Sequence, residues 1–267
     1  MSNSEFDAAT LVQSADFTAV LAALAAAKRV FFITGAGISA ESGLPTYRGV
    51  TGLYNQEHTE DEVPIEAALS GDMLRQRPAL TWKYLRQIES GCRRAGFNAA
   101  HAAIAELQKH RHVCVLTQNI DGFHNDAGSR NVIEIHGNAR TVFCTACDWR
   151  EDVSDYSRWD GNDDAPCCPG CGDLLRPTVV LFGEMLPSDA LDKLYAELNK
   201  GFDLVFSVGT SSVFPYIVQP VLDAARQGIP TVEVNPSNTD ISKLVDYKFA
   251  APAGVVLPAL VNHLASG

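Results

Sequence analysis

Residues 29–49, RVFFITGAGISAESGLPTYRG, combine an apolar run with a glycine-rich turn. The apolar run at residues 30–33 leads into Gly35 and Gly37, and Ala40 follows three residues later. This spacing fits the G-x-G-x-x-G/A turn that joins a buried strand to a helix and holds the phosphates of a dinucleotide. The stretch therefore predicts the first strand and the first turn of a nucleotide-binding sheet.

The residues after this turn depart from the usual dinucleotide-binding unit. Such a unit continues with a helix, a second strand and an acidic residue about 20 positions beyond the glycines. Residues 42–62 instead contain three glycines and one proline and end in a polar run, which is typical of a loop. A long loop beside a phosphate turn is often a functional lid, and a solvated surface excursion is the alternative. Within this loop Tyr47 could wall a pocket and Arg48 could contact phosphate.

The overall composition limits the class of protein. The 267 residues suffice for one large domain, or one domain with an insertion, and the 46% of hydrophobic residues can fill its core. The net charge of −11 is opposite to that of most nucleic-acid-binding domains and suits a cationic partner such as a lysine-bearing peptide. The N-terminus has no basic region and the apolar run at residues 19–27 is too short for a membrane span. We therefore expect a cytoplasmic protein with no membrane contact and no direct nucleic-acid binding.

Strand-like and helix-like segments alternate along the chain. Amphipathic stretches that suit helices, the first of them after the N-cap candidate Ser14, separate the apolar runs. This alternation predicts an α/β fold with a parallel sheet covered on both faces. The runs that suit buried strands are residues 30–34, 113–117, 132–135, 203–208, 231–234 and 247–250.

Candidate ligand-binding residues stand where the second and third predicted strands end. Gln118, Asn119 and Asp121 follow the second strand, and their amides and carboxylate could read a carboxamide or a ribose. The alternative for Asn119 and Asp121 is that they only cap the next helix. His136 follows the third strand and precedes a glycine, so it is a candidate base, with a structural histidine as the alternative.

A second glycine turn follows the fourth predicted strand. Gly209, Thr210 and Ser211 repeat the nucleotide signal of the first turn, now with hydroxyl groups. Asn235 ends the next strand. Its amide could bind the ribose hydroxyl that an acidic residue binds in the usual dinucleotide-binding unit. Two nucleotide signals at strand ends strengthen the prediction of a dinucleotide site.

Four cysteines form two C-x-x-C pairs. Cys144 and Cys147 make the first pair, and Cys168 and Cys171 make the second after twenty intervening residues. Four thiolates at this spacing close a tetrahedral zinc site with no open position for water, so its expected role is in folding. Cys167 could replace Cys168 as a ligand, although the x-x spacing favours Cys168. A redox C-x-x-C is the rival interpretation, but it needs a thioredoxin-like context that is absent.

Seven motifs run along roughly residues 21–260 in a fixed order: GAGISAESGLPTYRG, TQNIDGFH, IEIHG, the paired C-x-x-C, RPTVVLFGE, SVGTSS and EVNPS. Together they resemble the sirtuin family of NAD-dependent protein lysine deacylases, in its bacterial type. The resemblance implies a single catalytic domain over residues 1–267. It implies a Rossmann-like NAD domain that carries a helical insertion at 50–97 and a zinc ribbon at 138–178. Substrate would bind in the cleft between the two parts.

The same resemblance assigns roles to individual residues. His136 matches the general base, and Asn119 and Asp121 complete the catalytic set by burying the nicotinamide. One zinc per chain is expected on Cys144, Cys147, Cys168 and Cys171. The segment that pairs as a strand with the substrate peptide is matched by Val180, Phe182, Gly183 and Glu184. The positions that contact NAD are Gly35, Ala36, Gly37, Tyr47, Arg48, Gln118, Asn119, Asp121, Gly209, Thr210, Ser211, Asn235 and Ala253.

The reaction that the resemblance implies consumes NAD. The acyl-lysine carbonyl oxygen attacks the ribose carbon as nicotinamide leaves, and His136 accepts a ribose hydroxyl proton. The products are free lysine, nicotinamide and O-acyl-ADP-ribose. An ADP-ribosyltransferase on the same scaffold is one alternative, and a non-catalytic zinc and nucleotide-binding protein is another.

The preferred acyl group depends on a predicted helix that follows the loop at residues 42–62. Bacterial relatives that remove succinyl or malonyl groups carry a tyrosine and, three residues later, an arginine at the positions of Leu85 and Ile88. Tyr84 and Arg86 lie close by, but their two-residue spacing puts them on different faces of a helix. The apolar pair favours acetyl or longer hydrophobic acyl groups, and desuccinylation or demalonylation is the alternative.

Overall fold

The computed structural model describes residues 8–46, 59–161 and 163–266. Nine strands form two sheets in this part of the chain. The six parallel strands of the main sheet are β1 (Arg29–Thr34), β2 (His112–Thr117), β3 (Val132–Glu134), β7 (Leu204–Val208), β8 (Thr231–Val234) and β9 (Tyr247–Phe249). The three antiparallel strands of the small sheet are β4 (Thr141–Cys144), β5 (Arg150–Asp152) and β6 (Leu175–Pro177).

Ten α-helices in the described ranges surround these sheets. They are α1 (Ala8–Val12), α2 (Ala15–Ala26), α3 (Ile65–Ala68), α4 (Gly71–Gln76), α5 (Pro78–Arg94), α6 (Ala99–Leu107), α7 (Phe123–Asp126), α8 (Ser188–Asn199), α9 (Pro215–Arg226) and α10 (Ala253–Ser266). Among the described residues, two 3-10 helices cover Ala36–Ser42 and Ser157–Trp159. No helix in the described part of the chain combines the length and the apolarity that crossing a membrane requires.

The main sheet has the strand order β3-β2-β1-β7-β8-β9. Counted along the chain, this is the 3-2-1-4-5-6 order of the Rossmann fold, so the predicted α/β class is confirmed. The order reverses between β1 and β7, and Thr34 pairs with both Thr117 and Val208. Because these strands end level, the residues that follow them meet at one edge of the sheet.

Each face of the main sheet has its own hydrophobic core. Phe32 and Phe206 stack 4.8 Å apart in the core beneath α2, α6 and α10. Phe31 points to the opposite face and stacks on Phe202 at 4.6 Å, beside α8 and α9. The predicted N-cap is confirmed, since the backbone N–H of Phe17 donates to Ser14 Oγ at 3.1 Å. Burial on both faces explains why these strands are apolar throughout.

A third core joins the helices that follow the loop at residues 42–62, namely α3, α4 and α5, to the small sheet. The indole of Trp82 on α5 donates to the carbonyl of Leu175 at 2.8 Å, and its ring lies 5.4 Å from that of Tyr156. The helical and ribbon segments therefore pack on each other beside the main sheet. Helix α4, which the sequence does not predict, lies here and is capped by Ser70 through the N–H of Met73. The limits 50–97 and 138–178 of the two insertions stay a prediction.

The departure after the first glycine turn is also a feature of the structure. Residues 36–42 form a 3-10 helix. The next strand along the chain that pairs with β1 is β2, which begins only at His112. Residues 43–46 and 59–64 have no regular structure. The tip of the predicted loop, residues 47–58, lies outside the described residues and includes Tyr47 and Arg48.

Candidate active site

A cavity of about 770 Å³ opens at the carboxyl ends of β1, β2 and β7. This is the crevice at the switch point where open α/β sheets bind ligands. Most of the predicted site residues line it, although they come from six separate parts of the sequence. They are Gly35, Ala36, Gly37, Gln118, Asn119, His136, Val180, Phe182, Gly183, Glu184, Gly209, Thr210, Ser211 and Asn235.

Two predicted residues do not line this cavity. Asp121 lies behind Ser39 and is 6% exposed. Ala253 is the buried first residue of α10. Their contacts with NAD stay a prediction, as do those of Tyr47 and Arg48.

The two glycine turns interlock at the centre of the cleft. The N–H of Gly37 donates to the carbonyl of Gly209 at 2.8 Å, and the N–H of Gly35 donates to Val208 at 3.1 Å. A Cβ built on Gly37 would lie 2.6 Å from the Cα of Gly209, which itself has a φ of 59°. Only glycine fits both positions, because the two backbones touch and the second adopts a left-handed conformation. The glycines thus leave bare backbone facing the cavity.

Ser39, Asn119 and Asp121 form a buried hydrogen-bonded chain behind the first turn. Asn119 Nδ2 donates to Gly35 O at 3.2 Å and to Ser39 Oγ at 3.1 Å, and Ser39 Oγ donates to Asp121 Oδ2 at 2.8 Å. The N–H of Phe123, the first residue of α7, donates to Asp121 Oδ1 at 3.0 Å, but the N-cap of that helix is Gly122, and Asn119 bonds to Gly35 and Ser39 and not to the helix. Burial raises the pKa of Asp121, and its bonds from Phe123 and Ser39 oppose that shift. Ser39 was missed because a serine inside a glycine-rich turn carries no distinctive signal.

A second set of bonds ties the other glycine turn to the same floor. Gln118 Nε2 donates to Thr210 Oγ1 at 2.8 Å. Asn235 Nδ2 donates to the carbonyl of Thr210 at 3.1 Å. Thr210 therefore links the ends of β2, β7 and β8, and the residues predicted to read a ribose stand together.

His136 faces the cavity and has both ring nitrogens engaged. Its Nδ1 lies 3.0 Å from the carbonyl of Gln118, and its Nε2 lies 2.7 Å from the hydroxyl of Tyr216. Burial lowers the pKa of His136, and the bond to the Gln118 carbonyl partly opposes this effect. The ring is therefore neutral near pH 7 and suited to accept a proton. Tyr216 was missed, although its place at the start of the helix after the second glycine turn puts it at this edge of the sheet.

An apolar wall closes the cavity on the side of α5. Leu85 and Ile88 both line it. Tyr84 instead donates its hydroxyl to Asp61, and Arg86 donates to the carbonyl of Asp164. The prediction that Tyr84 and Arg86 lie on different faces of the helix from each other is confirmed.

The segment 180–184 forms the rim next to this wall. The N–H of Val180 donates to the carbonyl of His136 at 2.8 Å, and Phe182 exchanges backbone bonds with Leu69 and Gly71 at 3.0 Å. The Glu184 carboxylate accepts two bonds from Arg176, at 2.6 and 2.8 Å. The segment is thus held in place from behind while it borders the cavity.

The four predicted zinc ligands converge at one end of the small sheet. The Sγ atoms of Cys144, Cys147, Cys168 and Cys171 lie within 4.8 Å of one another, with Cys144 3.4 Å from Cys171 and Cys147 3.6 Å from Cys168. A tetrahedron with zinc–sulfur bonds of about 2.3 Å needs sulfurs about 3.8 Å apart, so the cluster fits zinc. Cys167 is exposed and is not a member of the cluster.

Comparison with known proteins agrees with this geometry. The sequence pattern of the Sir2 family matches residues 35–215. A Pseudomonas aeruginosa protein named NAD-dependent protein deacylase 2 is 52% identical over 92% of this chain and 96% of its own length. A Sir2 homologue solved as an NAD complex has 36% identity and a TM-score of 0.83, over 93% of this chain and 94% of its own. A Sir2 protein solved with deacetylated p53 peptide and 3′-O-acetyl ADP ribose has 28% identity and a TM-score of 0.82, over 92% of this chain and 98% of its own. The chain therefore belongs to the Sir2 family, the sirtuins, as its motifs predict.

Proposed function

We propose that the chain is an NAD-dependent protein lysine deacylase that releases nicotinamide and transfers the acyl group to ADP-ribose. The observation that carries this proposal is the one cavity in which two interlocked glycine turns meet a half-buried, neutral His136. A dinucleotide cradle beside a base suits a reaction that consumes the dinucleotide. The NAD and acetyl-ADP-ribose complexes of the two solved Sir2 proteins support the same reaction.

The residues of the cleft fit NAD as a bound co-substrate. The backbone of Gly35, Gly37 and Gly209 lines the cavity without side chains of its own, so it can admit a pyrophosphate. Among the described residues that line the cavity there is no lysine or arginine, so we assign the cation for the phosphates to Arg48. Thr210 and Asn235 offer hydroxyl and amide groups to the adenosine ribose.

The residues of this chain prepare the base and the nicotinamide pocket. NAD, when bound, supplies the electrophilic ribose carbon and the leaving nicotinamide. His136 keeps its proton on Nδ1, which donates to Gln118, so Nε2 is the atom that gains a proton when the ribose hydroxyl is deprotonated. The bonds from Asn119 Nδ2 to Gly35 and Ser39 fix its amide, which leaves Oδ1 as the acceptor for a carboxamide N–H.

The apolar wall points to uncharged acyl groups on the substrate lysine. Leu85, which is 3% exposed, and Ile88 offer no partner to a carboxylate. Burying a charged succinyl or malonyl group against them would leave that charge unpaired. We therefore propose acetyl or longer hydrophobic acyl-lysine peptides as substrates, and one structural zinc on the four clustered cysteines.

Nicotinamide release tests the proposal. The purified protein is incubated with NAD and acetyl-, succinyl- or unmodified lysine peptides, beside His136→Ala and the control His110→Ala, whose side chain is exposed. We expect release that depends on the acetyl peptide, is lost in His136→Ala and persists in His110→Ala. Release without an acyl peptide, with label transferred to protein, would instead identify an ADP-ribosyltransferase. NAD binding with no turnover on any peptide would contradict both.

A further inference from the structure

The only proton-accepting atom of His136 is already hydrogen bonded. Its Nδ1 lies 3.0 Å from the carbonyl oxygen of Gln118, and a carbonyl only accepts, so Nδ1 carries the ring proton. In the neutral ring this leaves the lone pair on Nε2. The Tyr216 hydroxyl, 2.7 Å from Nε2, therefore donates to that lone pair. The lone pair that would accept a proton from a ribose hydroxyl in the cleft is therefore already hydrogen bonded to Tyr216.

Tyr216 is held in this position by rigid elements. It is the second residue of α9, and Pro215 fixes the backbone at the start of that helix. Its ring stacks on Phe214 with centroids 5.4 Å apart and planes 10° from parallel. Both rings meet the His136 ring edge-on, at 85°. Since the hydroxyl sits on a packed ring at a helix start, we expect it to stay beside His136 when the cleft fills.

The oxygen of Tyr216 can accept a bond while its hydrogen is donated. A phenol has one hydrogen and two lone pairs, and among the residues that the structure describes no donor contacts this oxygen. Both Tyr216 and His136 line the cavity, so a ligand hydroxyl can reach the oxygen. Burial raises the pKa of Tyr216 to about 12, which keeps the hydroxyl protonated near neutral pH, where His136 is neutral.

We propose that Tyr216 relays the ribose hydroxyl proton to His136 in the deacylase reaction proposed above, on which this inference rests. The ribose O–H bond breaks and its proton passes to Tyr216 Oη as the original phenol proton passes to His136 Nε2. The phenol is neutral before and after the transfer, the imidazole becomes imidazolium, and the ribose oxygen keeps the bonding electron pair. One proton is moved in total and no further reactant is needed. The competing role is a cap that must leave before His136 can act.

A measurement without turnover tests the hydrogen bond itself. Tyr216→Phe keeps the ring and its stacking, and Tyr195→Phe is the matched control because Tyr195 is 57% exposed on α8. Nitrogen NMR of the NAD-free protein should show His136 Nε2 as a hydrogen-bonded acceptor. We expect the Nε2 signal to move toward the value of an unbonded lone pair in Tyr216→Phe and to stay unchanged in Tyr195→Phe. An unchanged signal in Tyr216→Phe would overturn the proposal.

Kinetics then separate the relay from the cap. For a relay we expect Tyr216→Phe to lower kcat about tenfold or more with little change in the KM for NAD. A proton inventory in mixed light and heavy water should be curved for the wild type, since two protons move together, and linear for Tyr216→Phe. An unchanged or higher kcat with a lower KM would overturn the relay in favour of the cap. A wild type that shows no turnover at all would instead overturn the proposed function, and the relay with it.

Discussion

Gly37 and Gly209 touch backbone to backbone at the floor of the cleft: a Cβ on Gly37 would lie 2.6 Å from the Cα of Gly209. The contact joins the turn after β1 to the turn after β7, which are separated by more than half of the chain. It brings the two nucleotide signals of the sequence to the point where the strand order reverses.

This contact predicts a loss of NAD binding in Gly37→Ala. The added methyl can only be accommodated by moving the backbone of Gly209, at a cost of about 1–3 kcal/mol. If that cost falls on the bound state, NAD affinity drops about 5- to 150-fold. Titration calorimetry with NAD measures this, with Gly96→Ala as the control because a Cβ there meets nothing within 4 Å. Equal NAD affinity in Gly37→Ala and the wild type would contradict the proposed cradle.

Much of the candidate site can be predicted from the sequence, because many of its residues belong to short local patterns. The glycine spacing around Gly35, the polar residues after β2 and the C-x-x-C pairs are each readable within a few residues. Partners that are distant in sequence are not readable in this way. Nothing near Tyr216 indicates that its hydroxyl meets His136, eighty residues earlier. Helix α4 was missed for a different reason, since six residues with one Ser70 cap give too short a periodic signal.

The environment of His136 predicts the acid side of the pH profile. Burial lowers the pKa of His136 below its ordinary value of 6.5, so the neutral, proton-accepting form persists to lower pH. At pH 6.5 more than half of His136 is therefore neutral, and turnover that needs this form is lost as pH falls through the lowered pKa. The pH dependence of kcat/KM with an acetyl peptide should show an acid limb with its midpoint below 6.5. A midpoint above that value would show that His136 is not the neutral base that this structure implies.

The cysteine cluster predicts different outcomes for two adjacent cysteines. Cys168→Ser removes a member of the cluster, so we expect zinc to be lost and the ribbon to unfold. Cys167→Ser changes an exposed thiol outside the cluster and should keep about one zinc per chain. Metal analysis of both purified variants, together with their thermal unfolding, makes the comparison. Retention of zinc by Cys168→Ser with loss in Cys167→Ser would reverse the assignment.

The apolar wall predicts a switch of acyl preference. Leu85→Tyr with Ile88→Arg places a hydroxyl and a guanidinium in the cavity, where they can bind the carboxylate of a succinyl group. We expect kcat/KM for a succinyl peptide to rise and that for an acetyl peptide to fall. The matched control is Tyr84→Leu with Arg86→Ile, because these side chains point to Asp61 and Asp164 and not into the cavity. If the wild type already prefers the succinyl peptide, the proposed apolar specificity is wrong.

The ion pair between Glu233 and Lys248 predicts that a site remote from the base controls NAD affinity. Lys248 Nζ lies 2.7 Å from the Glu233 carboxylate, which is 1% exposed, and Ser242 Oγ donates to the same carboxylate at 2.6 Å. Thr239 also donates to Glu233, and Lys248 reaches the carbonyl of Ser237 at 2.9 Å. The pair therefore anchors the segment 236–240, which lines the cavity next to Asn235.

Replacing Glu233 by Gln keeps the shape of the side chain and removes its charge. Breaking a buried ion pair costs about 3–5 kcal/mol, and because Lys248 is 19% exposed we expect a loss near the lower end. We also expect weaker NAD binding, because the segment 236–240 loses its anchor. Urea unfolding and NAD titration of Glu233→Gln, Lys248→Met and the double variant give the coupling energy, with the exposed Lys243→Met as the control. Additive effects of the two single variants would show that the pair does not hold this segment, whereas a double variant no worse than either single one would establish that it does.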